Sequence, residues 1–277
     1  MIAQYGENPD ISPWVTDSLL HDRNFTRRAL AAEIVYLAVR GYLKIEEVME
    51  EGKDDKVADY TLLKLRDPDK ALKEHQRELL RQIFSKDAEK VKLSELKNSF
   101  YKKIPVIQKD VERYLESYYH LEPWVIGLYI FVALAMVAGA IFLAPDGRFD
   151  ITIGGIVSGI IVYIFGLYMP KKTRKGLDTV WYIKGLKHFI HVAERYRVKF
   201  YEDEKMFERV LPYAMVFDLA DKWAEVFEDL YKKQPEWFDS SRPFQLHSFV
   251  SSMRTFEGKT YANMTSRPSS TGGGGGS

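Results

Sequence analysis

Two long uncharged stretches, only six residues apart, constrain this chain more than anything else in it. Trp124 to Ala144 runs for 21 residues without a charged side chain, and Ile151 to Met169 for another 19. As helices rising about 1.5 Å per residue they measure roughly 31 and 28 Å, close to the ~30 Å hydrocarbon core of a bilayer. A buried helix of a soluble protein ordinarily keeps a polar stripe, and neither stretch has one. Pro145 to Asp150 cannot recross a bilayer. The pattern therefore predicts an antiparallel transmembrane hairpin over residues 123–170, with spans 124–144 and 151–169.

Lys and Arg near the ends set the expected orientation. Lys97, Lys102, Lys103, Lys109 and Arg113 precede the first span, Lys171, Lys172, Arg174 and Lys175 follow the second, and the turn offers Arg148 alone. Both ends of this chain are thus expected in the cytoplasm, with the protein passing the membrane more than once. Lys102, Lys103, Lys109, Arg113, Lys171, Lys172, Arg174 and Lys175 are the expected contacts for anionic lipid. Trp124 and Tyr168 suit interfacial anchors on the same side. Gly155 and Gly159 form a GxxxG step, and Ala135 and Gly139 a small-xxx-small pair. Small residues let helices approach closely in lipid, so these four are candidates for the hairpin seam or a homo-oligomer contact. Neither span carries an ionisable group, which argues against a transporter built from this hairpin alone.

Residues 1–122 read as α+β. Leu30, Ile34, Leu37 and Ala38 mark one face of a helix from Thr26 to Arg40, capped by Asn24 or Thr26 and ended by Gly41. Strands are expected at Tyr42 to Glu46 and Tyr60 to Leu65, joined by a long acidic loop. A helix from Leu72 to Phe84, a strand at Val91 to Leu93, a short helix capped by Ser94 and another starting at Pro105 follow. These are the parts of a winged-helix fold, whose usual work is reading DNA. The connection from Glu46 to Asp59 opposes that use, because it holds seven acids against Lys53 and Lys56. Across the chain 40 Lys and Arg meet 39 Asp and Glu, which excludes a whole-protein basic field for nucleic acid.

Residues 171–238 read as helical. A basic segment, Lys171 to Lys199, precedes an acidic one, Glu202 to Asp229, and Pro212 is expected to begin a helix. Leu186, Phe189 and Ile190 make an apolar stripe that would be buried by docking on the first portion, with Phe207, Phe217, Trp223 and Phe227 completing a shared core. Gln234 to Phe238 reads as a turn anchored by Trp237, and residues 239–277 as a flexible Ser/Gly-rich tail. The expectation is a mainly α membrane protein with a winged-helix-like cytoplasmic portion, a two-helix hairpin and a helical C-terminal portion.

Chemistry has little to stand on. The chain lacks Cys, which removes disulfides, Cys-ligated zinc, iron–sulfur clusters and Cys nucleophiles together. His188, His191 and Glu194 share helical spacing without a second ligand cluster, so they read as surface or packing residues. Ser94 and Lys97 form an S-x-x-K without the partner motifs of that enzyme class, and no phosphate-cradling glycine motif occurs. No catalytic activity, metal or cofactor is expected. The main reading is a membrane-anchored module that binds an unidentified membrane or cytoplasmic protein. A membrane-tethered DNA-binding regulator and an accessory subunit of an envelope or secretion assembly are the alternatives.

Taken together, RALAAEIVYLAVRGYLKIEE (Arg28 to Glu47), DYTLLKL (Asp59 to Leu65), KGLKHFIHVAE (Lys184 to Glu194) and MFERVLPYAMVFDLADKWAEVF (Met206 to Phe227) resemble the YciQ-like predicted membrane proteins, a family of unknown function. The resemblance implies a multi-pass protein of a bacterial or archaeal cell membrane, with a cytoplasmic region and an embedded helical hairpin, and brings no catalytic residues. Members of that family begin with a signal peptide, an extracytoplasmic β-rich domain and another membrane helix. The resemblance thus implies the C-terminal part of such a protein, or a truncated relative.

Overall fold

The computed structural model describes residues 11–24, 26–85, 88–120, 123–142, 149–168, 171–193 and 205–268. Helices α1 (Pro13–Leu20) and α2 (Arg27–Val39) lead into strands β1 (Leu43–Glu50) and β2 (Lys53–Lys64). Next come α3 (Glu74–Ile83), β3 (Lys90–Lys92), two 3-10 turns and α4 (Ile104–Leu115). Strand β4 (Tyr119–His120), helices α5 (Pro123–Phe142) and α6 (Phe149–Tyr168) and strand β5 (Lys171–Lys172) follow. Helices α7 (Arg174–Val192), α8 (Lys205–Val216) and α9 (Ala220–Phe227), strand β6 (Phe238–Asp239) and helix α10 (Leu246–Thr265) complete the order. Two compact units result: Met1–Leu115 with Val180–Ser277, and Glu116–Thr179.

The larger unit is built around α2. The Thr26 hydroxyl caps its start by accepting from the Arg28 N–H, and Gly41 turns the chain at its end with φ +75°. The one-sided stripe expected of this helix is too modest. Every residue from Ala29 to Ala38 is buried, because α1, α8, α10 and β1 all pack on it. Two of those neighbours come from beyond residue 204, so the segments before and after the α5–α6 hairpin share one core. Phe207, Phe217, Trp223 and Phe227 are all buried in it. Tyr213 of α8 meets Tyr36 of α2 edge-on and donates its hydroxyl to the Ile11 carbonyl at 2.7 Å.

A small mixed sheet of order β3-β2-β1-β6 flanks this helix core, antiparallel except for the parallel β1/β6 pair. The acidic stretch expected as a long loop is instead strand almost to its tip. Glu50 pairs with Lys53 across a two-residue turn in which Gly52 has φ +76°, a conformation that glycine adopts without strain. The acids of that stretch find separate partners: Glu46 binds Lys90 at 3.2 Å and Glu50 binds Lys56 at 2.7 Å.

Three further expectations are corrected. Ser94 does not cap a helix; its N–H donates to Asp59 at 3.3 Å, and 3-10 turns stand where the short helix was expected. Pro212 lies inside α8, which starts earlier at Lys205. The tail is the largest departure. Residues 239–268 carry the end of β6 and the 20-residue helix α10, which buries Leu246, Phe249, Val250, Met253, Phe256 and Met264. Residues 269–277, also assigned to that tail, fall outside the described residues.

Candidate functional site

In the smaller unit α5 and α6 pack antiparallel along a seam of small residues. A Cβ at Gly155 would overlap the Ala140 Cβ, and one at Gly159 would come within 3.0 Å of the Ala133 carbonyl and 3.1 Å of Val137. The GxxxG step is therefore where the two backbones touch. On α5 the facing residues are Ala133, Val137 and Ala140; Ala135 and Gly139, candidates for this seam or for a homo-oligomer contact, lie off the seam. Ala135 is exposed, and nothing lies within 4 Å of a Cβ placed on Gly139. The registers differ because α6 seats on the row two residues N-terminal to Ala135.

Most of the described surface outside the seam is apolar and exposed. Phe131 is 69 % exposed, Leu134 64 % and Phe142 85 % on α5, with Ile153 at 61 % and Phe165 at 59 % on α6. Monomeric proteins in water seldom show a contiguous apolar surface of this kind. Among the described residues no helix is long and apolar enough to cross a membrane.

The two ends of the hairpin close on a short neck. Tyr119 and His120 pair with Lys172 and Lys171. The Thr173 N–H donates to the Tyr118 carbonyl at 3.0 Å and its hydroxyl to the Ser117 carbonyl at 3.2 Å. The same hydroxyl accepts from the Gly176 N–H at 3.0 Å, capping α7. Gly176 sits so close to the Tyr118 carbonyl that any Cβ would overlap it. Lys172 lies over the Tyr119 ring and Lys175 over Tyr118, at 5.8 and 4.6 Å. Trp124 is 66 % exposed. Of the eight expected lipid-contacting cations, Lys172, Arg174 and Lys175 belong to this neck; the side chains of Lys171 and Tyr168 and the whole 145–148 turn fall outside the described residues. Lys102, Lys109 and Arg113 are exposed on the larger unit, where Arg113 pairs with Asp110. Lys103 is turned inward and donates to the Gln82 carbonyl at 2.9 Å.

The larger unit holds polar networks that the sequence reading did not single out. Glu47 has no exposed side-chain surface. Its carboxylate accepts from Arg242 Nη2 at 2.9 Å through both oxygens, from Ser240 at 2.5 Å, and from the Ser252 hydroxyl. Strand alternation marks the position: Leu43 and Ile45 face inward, so Glu47 does too. Beside it, burial pushes the Tyr60 hydroxyl far above its ordinary range, and the Glu47 charge adds to the shift. Glu33, in the middle of α2, accepts from the Trp14 N–H and the Gln76 amide, both at 2.7 Å, with buried His75 3.7 Å away. His188 is exposed and His191 stands 3.3 Å from Lys222; Glu194 falls outside the described residues.

An open cleft of about 880 Å³ is lined by Lys44, Leu65, Lys205, Arg209, Lys233 and Trp237, among others. Its carboxylate Glu208 is held on both sides, by the Tyr231 hydroxyl and the Trp237 indole N–H, each at 2.6 Å. Glu33, Glu47 and Glu208 thus spend their oxygens on internal donors.

Compared with known families, residues 2–227 match the model described as predicted membrane protein (DUF2207) C-terminal domain. No curated protein and no solved structure matches the chain.

Proposed function

The chain belongs to the family of the predicted membrane protein (DUF2207) C-terminal domain, and from that premise we propose that its α5–α6 hairpin crosses a bilayer and anchors a non-catalytic cytoplasmic interaction module. The observation that carries this reading is the coat of exposed apolar side chains around a seam of Gly155, Gly159, Ala133 and Ala140. In water that coat is unfavourable, while in lipid it is matched, and close packing of small residues is what holds helices together there. The Lys/Arg excess outside the hairpin puts both ends of the chain in the cytoplasm and the 145–150 turn on the other side. The larger unit, mostly helical with a small mixed sheet, would offer its surface to a membrane or cytoplasmic protein. Support for a non-catalytic role comes from the internally engaged carboxylates.

The absence of native cysteine makes the test direct. Asp146→Cys should react with a membrane-impermeant thiol reagent in intact cells, and Lys53→Cys only after lysis. The reverse pattern overturns the orientation. Equal, immediate labelling of both in sealed vesicles overturns the spanning hairpin.

A further inference from the structure

The second half of α7 has two faces of different character. Ile183, Leu186, Phe189 and Ile190 are buried in the larger unit, where the Phe189 ring lies 5.9 Å from that of Trp223. The exposed positions between 180 and 192 are Trp181, Lys184, Lys187, His188 and His191. No carboxylate occurs anywhere in that stretch. Trp181 is 59 % exposed, and the Lys184 ammonium lies over its ring at 5.6 Å. The core thus consumes the aliphatic stripe of the helix and leaves one indole outside, with Lys184 over its ring, Lys187 and His188 exposed further along and the exposed Asp178 one turn before it.

We propose that this face of α7, Trp181 with Lys184, Lys187 and His188, docks on the headgroup layer of an anionic phospholipid membrane. The proposal rests on the hairpin reading above. Charge selects the occupant. A second copy of the same face would bring lysine against lysine, whereas anionic lipid complements every charge on it. An indole is favoured at the headgroup level, where its ring is shielded and its N–H stays hydrogen-bonded. Lysine stems lie along apolar surface and deliver the ammonium to the phosphates. In the sequence Trp181 follows Gly176, the last residue of the neck, by five positions, so a membrane-anchored chain carries this face close to its anchor. Each basic residue held near an anionic surface adds to the attraction.

The experiment uses the full chain in vesicles of phosphatidylcholine, with or without phosphatidylglycerol, and nitroxide labels on single cysteines. His188→Cys reports on the α7 face with Trp181 and Lys184 intact, and Leu134→Cys reports on hairpin insertion. In phosphatidylglycerol vesicles the label at 188 should lose several-fold of its collisions with a water-soluble nickel complex. That loss should vanish in pure phosphatidylcholine, and with Lys184→Glu and Lys187→Glu. A label at 188 that stays fully nickel-accessible in both lipids, while the one at 134 is oxygen-rich, overturns the proposal and leaves the hairpin standing. A nickel-accessible label at 134 removes both. Protection at 188 that is equal in the two lipids, or spin–spin broadening between copies, assigns the face to a protein contact and likewise overturns the proposal.

Discussion

Glu47 is a charged residue whose position, rather than its type, decides what it does. Its neighbours Glu46 and Glu50 end at surface lysines, pairs worth little in water. Glu47 is turned inward by the strand period and is the acceptor that Arg242, Ser240 and Ser252 share. Glu47→Ala should therefore cost about 1.5–3 kcal/mol, the range for a hydrogen bond to a charged group. Glu46→Ala should fall within ~0.5 kcal/mol of the parent, as surface changes do. Urea unfolding followed by circular dichroism separates the two, and equal midpoints would sink this account. Asp17 gives a pH signature. Burial raises its carboxyl above the ordinary aspartate value, more than the hydrogen bonds from the Thr26 N–H and hydroxyl and the His21 charge lower it. The folded state then holds the proton more tightly than the unfolded one. Stability is lost as pH rises from about 3.9, the unfolded value, through the raised folded value, and is level above it. Asp17→Asn should remove this slope, and unfolding midpoints of both proteins between pH 3.5 and 6.5 would show it.

Elements differ in how openly the sequence declares them. The hairpin helices are legible because uncharged apolar runs of 21 and 19 residues are far longer than a strand. The start and stop of α2 are legible because a hydroxyl cap and a glycine turn are local chemistry. The acidic β1–β2 connection is harder: acids depress strand propensity, and only the cross-strand register overrides it. Helix α10 was hidden by its Ser, Thr and Gly content. Its spacing was visible all the same, since Leu246, Phe249, Val250, Met253, Phe256, Thr260 and Met264 recur at three and four. Of the candidate packing residues, Gly155 and Gly159 meet the partner helix, while the matching row on α5 could not be chosen from several small residues without the crossing geometry. At this scale Gly155→Ile should force α5 and α6 apart at Ala140 and Met136. Overpacking of this kind costs about 1–3 kcal/mol. Gly139→Ile, which meets open space, should be nearly silent. Unfolding in mixed detergent micelles would rank them, and an equal loss from both would refute the seam.

For the molecule as a whole, the larger unit is assembled from chain on both sides of the hairpin and closed by a helix beyond the family match. Residues 2–227 correspond to the family model, yet α2 and β2 are covered by α10 at 246–265. That helix donates long-range links: Phe256 meets the Tyr60 ring edge-on at 5.1 Å, the Ser252 carbonyl accepts from the Tyr60 hydroxyl at 2.8 Å, and Glu257 accepts from Arg27 at 3.1 Å. Burying a large apolar side chain is worth roughly 1.5–3 kcal/mol, and α10 buries Leu246, Phe249, Val250, Met253, Phe256 and Met264. Three or four of these together rival the ~5–15 kcal/mol net stability of a whole domain. A chain ended after Gln245 should thus keep its hairpin helices, which pack on each other, while the larger unit loses its cooperative transition. Limited proteolysis should then open sites both in 11–115 and in 205–238, because the two segments share one interior. Should the truncated chain retain a sharp unfolding transition and full protection of α2, α10 would be an appendage, and the core would close without it.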